Sequence, residues 1–262
     1  MRPATTWALV LLTLLGGVAH AADPTADMSE VLSALKRART LAARGQVEVT
    51  VLFPPREVPT RRAAALPVLT VRPALLQKNF SVTRVGPETV AGRAATVFDL
   101  TPKAGQAARW RLWVDTVWNV PLAFEERSVN GDLARRAVFT RVNAAPARQT
   151  LTLPPLPAGL NGALARALPG LRLPPGFVPS GVQARPAGRE VTLTDGLNTL
   201  TLVVSARNVR AAPGVASRRV GGVFVWLVGN LPQNNLTTAL SGIRSADETP
   251  LGTFQAPAPS NP

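Results

Sequence analysis

Apolar positions recur along this chain with two different periods, and the switches between them mark its elements. In "ADMSEVLSALKRARTLAARG", Met28, Val31, Leu32, Leu35 and Ala38 fall on one helical face. Asp27 reads as the N-cap, with Glu30 three residues on as its reciprocal partner. Basic residues gather toward the C-terminal end, where the helix dipole favours them, and Gly45 reads as the stop. Such a helix packs on a sheet. The period then drops to two. In "QVEVTVLF", Val47, Val49, Val51 and Phe53 alternate with polar residues, which predicts a half-buried strand. "PPREVPTRRAAALP" breaks the alternation and reads as a loop. "NFSVTRVG" and "TVAGRAATVFDLTP" resume the sheet, with Gly92 at a turn or bulge. "ARWRLWVD" puts Trp110, Leu112 and Val114 on one face and Arg109, Arg111 and Trp113 on the other.

The stretch from Val120 to Val142 reads as a hairpin about Asn130-Gly131, a pair that accepts positive φ. A two-residue loop there sets Glu126 against Arg135, Glu125 against Arg136, Phe124 against Ala137 and Leu122 against Phe139. Opposite charges then face each other and the aromatics share a face. A slip of one residue would send the aromatics to the other side.

Beyond Asn143 the chain becomes rich in Pro, Ala and Leu. Residues 146–172 read as a Pro-rich linker, with a short helix at "NGALARAL". Residues 173–248 read as a small domain. It has an extended "GFVPSGVQARP", a hairpin about Asp195-Gly196, a buried strand "RRVGGVFVWLVGNLP", and a helix in which Leu236, Ala239, Leu240 and Ile243 share a face. At a sheet edge, "GVFVWLVGNLP" would instead pair with an extended peptide. Residues 249–262 read as a disordered tail.

The 25 prolines and 20 glycines in 262 residues suit many short strands and turns rather than an all-helical protein. The first segment has the form of a secretory signal (1–21): Arg2, an apolar run, then "AHA" before a cleavage point near Ala22. No Cys follows that would permit lipoprotein acylation. The expected location is therefore periplasmic or secreted. The chain has no Cys and no Tyr, and its one His, His20, lies within the signal. The mature chain thus lacks thiol and imidazole, which excludes the usual zinc sites, Cys or His nucleophiles and Ser-His-Asp triads. Asp115 and Glu125 have no spacing that marks a catalytic carboxylate pair, and no enzyme, metal, cofactor or nucleic-acid role is expected. The net charge of +14 comes almost wholly from Arg. It reads either as codon bias or as a surface for anionic headgroups or acidic segments.

The motif order resembles the N-terminal domain of the MucB/RseB family of periplasmic sigma-E regulators. The motifs are Asn79-Phe80, Val90 to Arg93, Pro102-Lys103, Arg111 to Asp115, Val120 to Leu122 and Phe139-Thr140. They continue in the second half with "LPPGF" (Leu173 to Phe177), "TDGL" (Thr194 to Leu197) and "VGNLP" (Val228 to Pro232). The resemblance implies an α+β protein. Its N-terminal domain (22–145) would be a half-open antiparallel β-barrel covered by helix, similar to lipoprotein carriers, followed by a smaller mixed sheet and helix domain. It also implies a non-enzymatic envelope-stress regulator that binds the extracytoplasmic part of a membrane-bound anti-sigma factor and senses lipid in an apolar groove. The alternatives are a periplasmic lipid or lipoprotein carrier and an Arg-driven adhesion module. This chain departs from the family where the loop before "NF" replaces longer strands, which implies a shortened sheet. It also departs at "ARW" and "TVWN".

Two groups of candidate site residues follow. Trp110, Leu112, Trp113, Trp118, Leu122, Phe124 and Phe139 would line an apolar groove for a lipid or partner, or else fill the core. Arg61, Arg62, Arg218 and Arg219 would meet a headgroup or an acidic segment, or else be solvated. Glu125, Glu126, Arg135 and Arg136 read as cross-strand pairs rather than as a polar site.

Overall fold

The computed structural model describes residues 24–186, 188–208 and 212–254; the segment read as an export signal falls outside them. The first helix, α1, spans Pro24–Arg37 and buries Met28, Val31, Ala34 and Leu35. It begins before Asp27, so that residue is no cap. Its carboxylate instead accepts from the Arg84 backbone N–H at 3.0 Å and from Arg84 Nε at 3.1 Å. The helix also ends before Gly45. The Thr40 N–H and hydroxyl both donate to the Arg37 carbonyl, turning the chain into β1 (Leu41–Ala42).

Next come β2 (Gly45–Val51) and β3 (Thr60–Ala63), paired antiparallel. The stretch read as a loop thus holds a strand. It gave no alternation because Thr60, Arg61 and Arg62 are all exposed at the sheet's edge. Helix α2 (Pro73–Asn79) was not expected either; its signal is Pro73 in the first turn, and it buries Leu76. Then follow β4 (Phe80–Val90), β5 (Arg93–Pro102), β6 (Arg109–Asp115), β7 (Pro121–Arg127), β8 (Leu133–Val142) and the short β9 (Ala147–Arg148), which pairs with β1. Seven of these strands form one antiparallel sheet in the order β3-β2-β8-β7-β6-β5-β4. Its ends, β3 and β4, do not pair with each other, so the sheet is open. Despite the short loop before Phe80, the sheet has not lost its outer strand.

The β7-β8 register is the expected one: Glu126 opposes Arg135, Glu125 opposes Arg136 and Phe124 opposes Ala137. The loop is not. Gly131 N–H donates to the Ser128 carbonyl, and Ser128 and Asp132 bracket three residues, of which Gly131 alone has positive φ (93°). A register shift between Glu126 and Arg127 absorbs the extra residue.

Residues 146–172 are structured at both ends. β9 closes on β1, and α3 (Leu160–Ala167) adds Leu160, Ala163, Leu164 and Ala167 to a second core. That core lies on a five-stranded antiparallel sheet of β10 (Val178–Arg185), β11 (Gly188–Thr194), β12 (Thr199–Ser205), β13 (Val215–Val220) and β14 (Val223–Val228). The order is β10-β11-β12-β14-β13. "RRVGGVFVWLV" is therefore a hairpin rather than one strand. β14 lies between two others, so it offers no edge to a peptide. Helix α4 (Gln233–Ser241) buries Leu236, Ala239 and Leu240, and Ile243 just beyond it is buried as well, as the spacing predicts. The tail is ordered over Thr249–Phe254, a 3-10 helix, because Leu251 is fully buried and Phe254 packs on the second core. Residues 255–262 lie outside the described residues. Among the described residues no helix is long and apolar enough to cross a membrane.

Candidate functional site

Six of the seven apolar candidates, Trp110, Leu112, Trp113, Leu122, Phe124 and Phe139, are buried in the first core. Trp110, 4% exposed, has no free side. Phe124 tilts against its ring at 5.7 Å, the Arg135 guanidinium lies over it at 5.2 Å, and its indole N–H donates to Asn198 Oδ1 at 2.7 Å. Trp113 lies on the opposite face of β6 and donates to Glu88 at 2.7 Å. Trp118 is half-buried under Arg93, whose guanidinium carbon sits 3.4 Å from the ring centroid. The seven therefore do not line one groove. Phe124 and Phe139 alone reach a crevice of about 70 Å³, walled also by Leu35 of α1 and by Leu66, Pro67 and Val68.

Arg93 is held in turn by Asp115, with bonds of 2.6 and 3.1 Å. Burial works to raise the Asp115 carboxyl. Arg93 and the backbone N–H groups of Trp118 and Val117 outweigh it and keep the carboxyl below its ordinary value. Glu126, also buried, accepts from Arg135 and from Asn230 Nδ2 at 2.9 Å.

The residues that sequence reasoning did not single out form the joint between the sheets. The loop after β11 enters the first unit. Leu197 joins its core. Asn198 accepts from Trp110, and its Nδ2 donates to the Ala108 carbonyl at 3.1 Å and to Asp195 Oδ2 at 2.8 Å. Asn79 Nδ2 donates to the Asp195 carbonyl at 2.7 Å and the Gly176 carbonyl at 3.1 Å. Gly196 has φ of +115°, and a Cβ there would run into the backbone of Leu75 and Leu76. Burial raises the Asp195 carboxyl, against bonds from the Asn198 side chain and the Leu197 and Asn198 N–H groups. The motifs "NF", "LPPGF", "TDGL" and "VGNLP" thus meet in space: each supplies a bond across this joint. Their order in the sequence was the available signal.

The four arginine candidates divide. Arg218 bonds the Ser241 carbonyl, and Arg219 bonds the Gly221 carbonyl and lies over the Phe224 ring, so both are engaged within the second unit. Arg61 and Arg62 stand on β3. Arg61 lines a cleft of about 380 Å³ between the sheets, with Arg56, Arg136 and Thr201.

The model of the MucB/RseB N-terminal domain matches residues 17–157. Among solved structures, a crystal structure of MucB is 21% identical, with a TM-score of 0.58, over 86% of this chain and 99% of that one. The Pseudomonas aeruginosa MucA/MucB complex gives 19% and 0.58 over 85% of this chain and 99% of that one. MucB in complex with MucA(peri) gives 19% and 0.55 over 86% and 100%. No curated protein sequence matches. The structural likeness extends the fold of MucB across both sheets, and with the match over more than half of its length the chain belongs to the MucB/RseB family.

Proposed function

We propose that this protein is a non-enzymatic envelope-stress regulator that binds the extracytoplasmic segment of a membrane-bound anti-sigma factor. The family match carries this reading. The likeness to structures described as MucB with MucA supports it. In this reading residues 1–21 direct export and are cleaved, and the mature chain works in the periplasm. Residues 22–145 form a half-open barrel. The second sheet, with α3 and α4, takes the partner.

Lipid sensing belongs in the crevice walled by Phe124 and Phe139. At about 70 Å³ it is well below the roughly 300 Å³ at which ligand pockets begin. Lipid entry therefore moves the segment around Leu66 and Val68. The joint at Asn198 passes that change to the second sheet, so that lipid and partner bind in a coupled way. Affinity capture from envelope extracts with the tagged mature protein tests the partner. A single-span protein whose cytoplasmic part holds a sigma factor is the expected catch, and failure to recover one sinks the reading. The same crevice favours a second reading, a lipid or lipoprotein carrier. Native mass spectrometry separates the two, because a carrier retains bound acyl lipid as purified.

A further inference from the structure

We propose that β3 is a docking edge that takes up an extended, acidic segment of a partner protein as an added strand. Among the described residues its only ladder partner is β2. Val51 N–H donates to the Pro59 carbonyl at 2.8 Å, which sets the phase of that ladder. Backbone groups alternate in direction along an antiparallel strand. Arg61 and Ala63 therefore turn their N–H and C=O to β2, and those of Thr60 and Arg62 point outward, with no backbone partner among the described residues. This is the geometry by which a peptide adds to a sheet.

Charge selects the peptide. Most of the sheet's other arginines are matched: Arg84 with Asp27 and Glu30, Arg93 with Asp115, Arg111 with Asp99, Arg135 with Glu126, Arg127 and Arg136 with Glu125. Arg109 and Arg141 form no ion pair among the described residues, but they stand on the inner strands β6 and β8, away from the free edge. Arg56, Arg61 and Arg62 form no ion pair among the described residues, and Glu48, across the ladder from Arg62, forms none with it. The same charges repel the β3 edge of a second copy, which is how exposed edges avoid self-pairing. Successive side chains point to opposite faces. Arg61 therefore faces the cleft that Arg56 also lines, while Arg62 faces the other side. An added strand with acidic residues on both faces meets a guanidinium on each. This inference rests on the β3 edge and not on the anti-sigma reading, since any acidic extended segment meets the same groups.

The test uses the mature full-length protein and a fluorescent peptide that alternates Glu with Val and Thr, followed by anisotropy. Phosphatidylglycerol vesicles are run in parallel. Binding is expected that weakens with salt and falls about tenfold or more in R61Q/R62Q. Thr60→Pro removes an outward N–H, keeps every charge and leaves the backbone bonds to β2 in place, losing only the exposed hydroxyl contact with Thr50 at 3.1 Å. It is expected to weaken binding about fivefold. In the unmutated protein, the peptide should slow hydrogen exchange at the Thr60 and Arg62 amides, a readout that does not depend on a variant folding. Unchanged exchange at both amides, equal binding to Thr60→Pro, or binding to the vesicles without the peptide would each overturn strand addition. Failure of the anti-sigma capture leaves all of these outcomes unaffected.

Discussion

Trp110 donates its indole N–H to Asn198 at 2.7 Å, so an inner strand of the first sheet is bonded directly to the loop of the second. The same Asn198 serves Ala108 and Asp195. Asn198→Ala leaves a buried indole N–H, a carbonyl and a carboxylate each short of a partner, and should cost about 3 kcal/mol. Trp110→Phe removes only one donor and leaves the Asn198 oxygen unpaired, for about 1–2 kcal/mol. Urea unfolding measures both, and a larger loss in Trp110→Phe would refute this account of the joint.

Asp195 makes that joint sensitive to pH. Its carboxyl is raised by burial, so ionisation at neutral pH works against the folded state. As pH falls through the raised value, protonation relieves that cost, and the gain is complete once pH reaches the ordinary carboxylate range. Mild acidification should therefore tighten the joint. The check is protection of the Trp110 indole N–H from hydrogen exchange, corrected for the intrinsic pH dependence of exchange. A corrected protection that falls between neutral and mildly acidic pH would contradict the sign.

Asp115 has the opposite sign. Its carboxyl is held below the ordinary value, so the stability it contributes is present above that range and is lost as pH falls through and below it. Arg93→Ala leaves the buried carboxylate with backbone donors alone and uncovers Trp118. The expected loss is about 3 kcal/mol at neutral pH. The gap between wild type and variant should narrow in strong acid. A gap independent of pH would mean that stacking on Trp118, and not the ion pair, sets the effect.

What was legible in the sequence was what periodicity writes. The valines of β2 and the buried face of α4 follow from alternation or helical spacing, because those elements bury one face each. Alternation also separates the two faces of β6, although Trp113 and Asp115 bury much of its second face. β3 was illegible because an edge strand with exposed arginines has no apolar face to reveal it. Trp110 was legible as an aromatic on an inner face. Whether it met ligand or protein was not, because its covering group, Asn198, lies 88 positions away on the other sheet. No local pattern encodes a contact at that separation.

The tail shows the same limit in reverse. Its Pro-rich composition reads as disorder, yet Leu251 is fully buried in the second core and the segment packs on α3. Leu251→Ala should cost about 2–4 kcal/mol, and truncation after Glu248 at least as much, measured as shifts in the urea midpoint. A truncated protein of undiminished stability would show that the 3-10 helix contributes nothing.

The β7-β8 hairpin permits the sharpest separation of sequence logic from structure. A two-residue Asn-Gly loop needs positive φ at both positions. In that case Asn130→Ala and Gly131→Ala would both destabilise. The loop found here bends through three residues, with Gly131 alone at positive φ and the register restored by the shift after Glu126. Asn130→Ala should then change stability by less than about 0.5 kcal/mol. Gly131→Ala forces a Cβ into the left-handed region and should cost about 1–2 kcal/mol. Space does not enter, because a Cβ at Gly131 would meet nothing within 4 Å. The difference between the two variants is thus a pure backbone effect. Equal losses would restore the two-residue loop and remove the need for the shift. A neutral Asn130→Ala beside a costly Gly131→Ala would show that the Glu–Arg pairs set the register and the turn adapts to them.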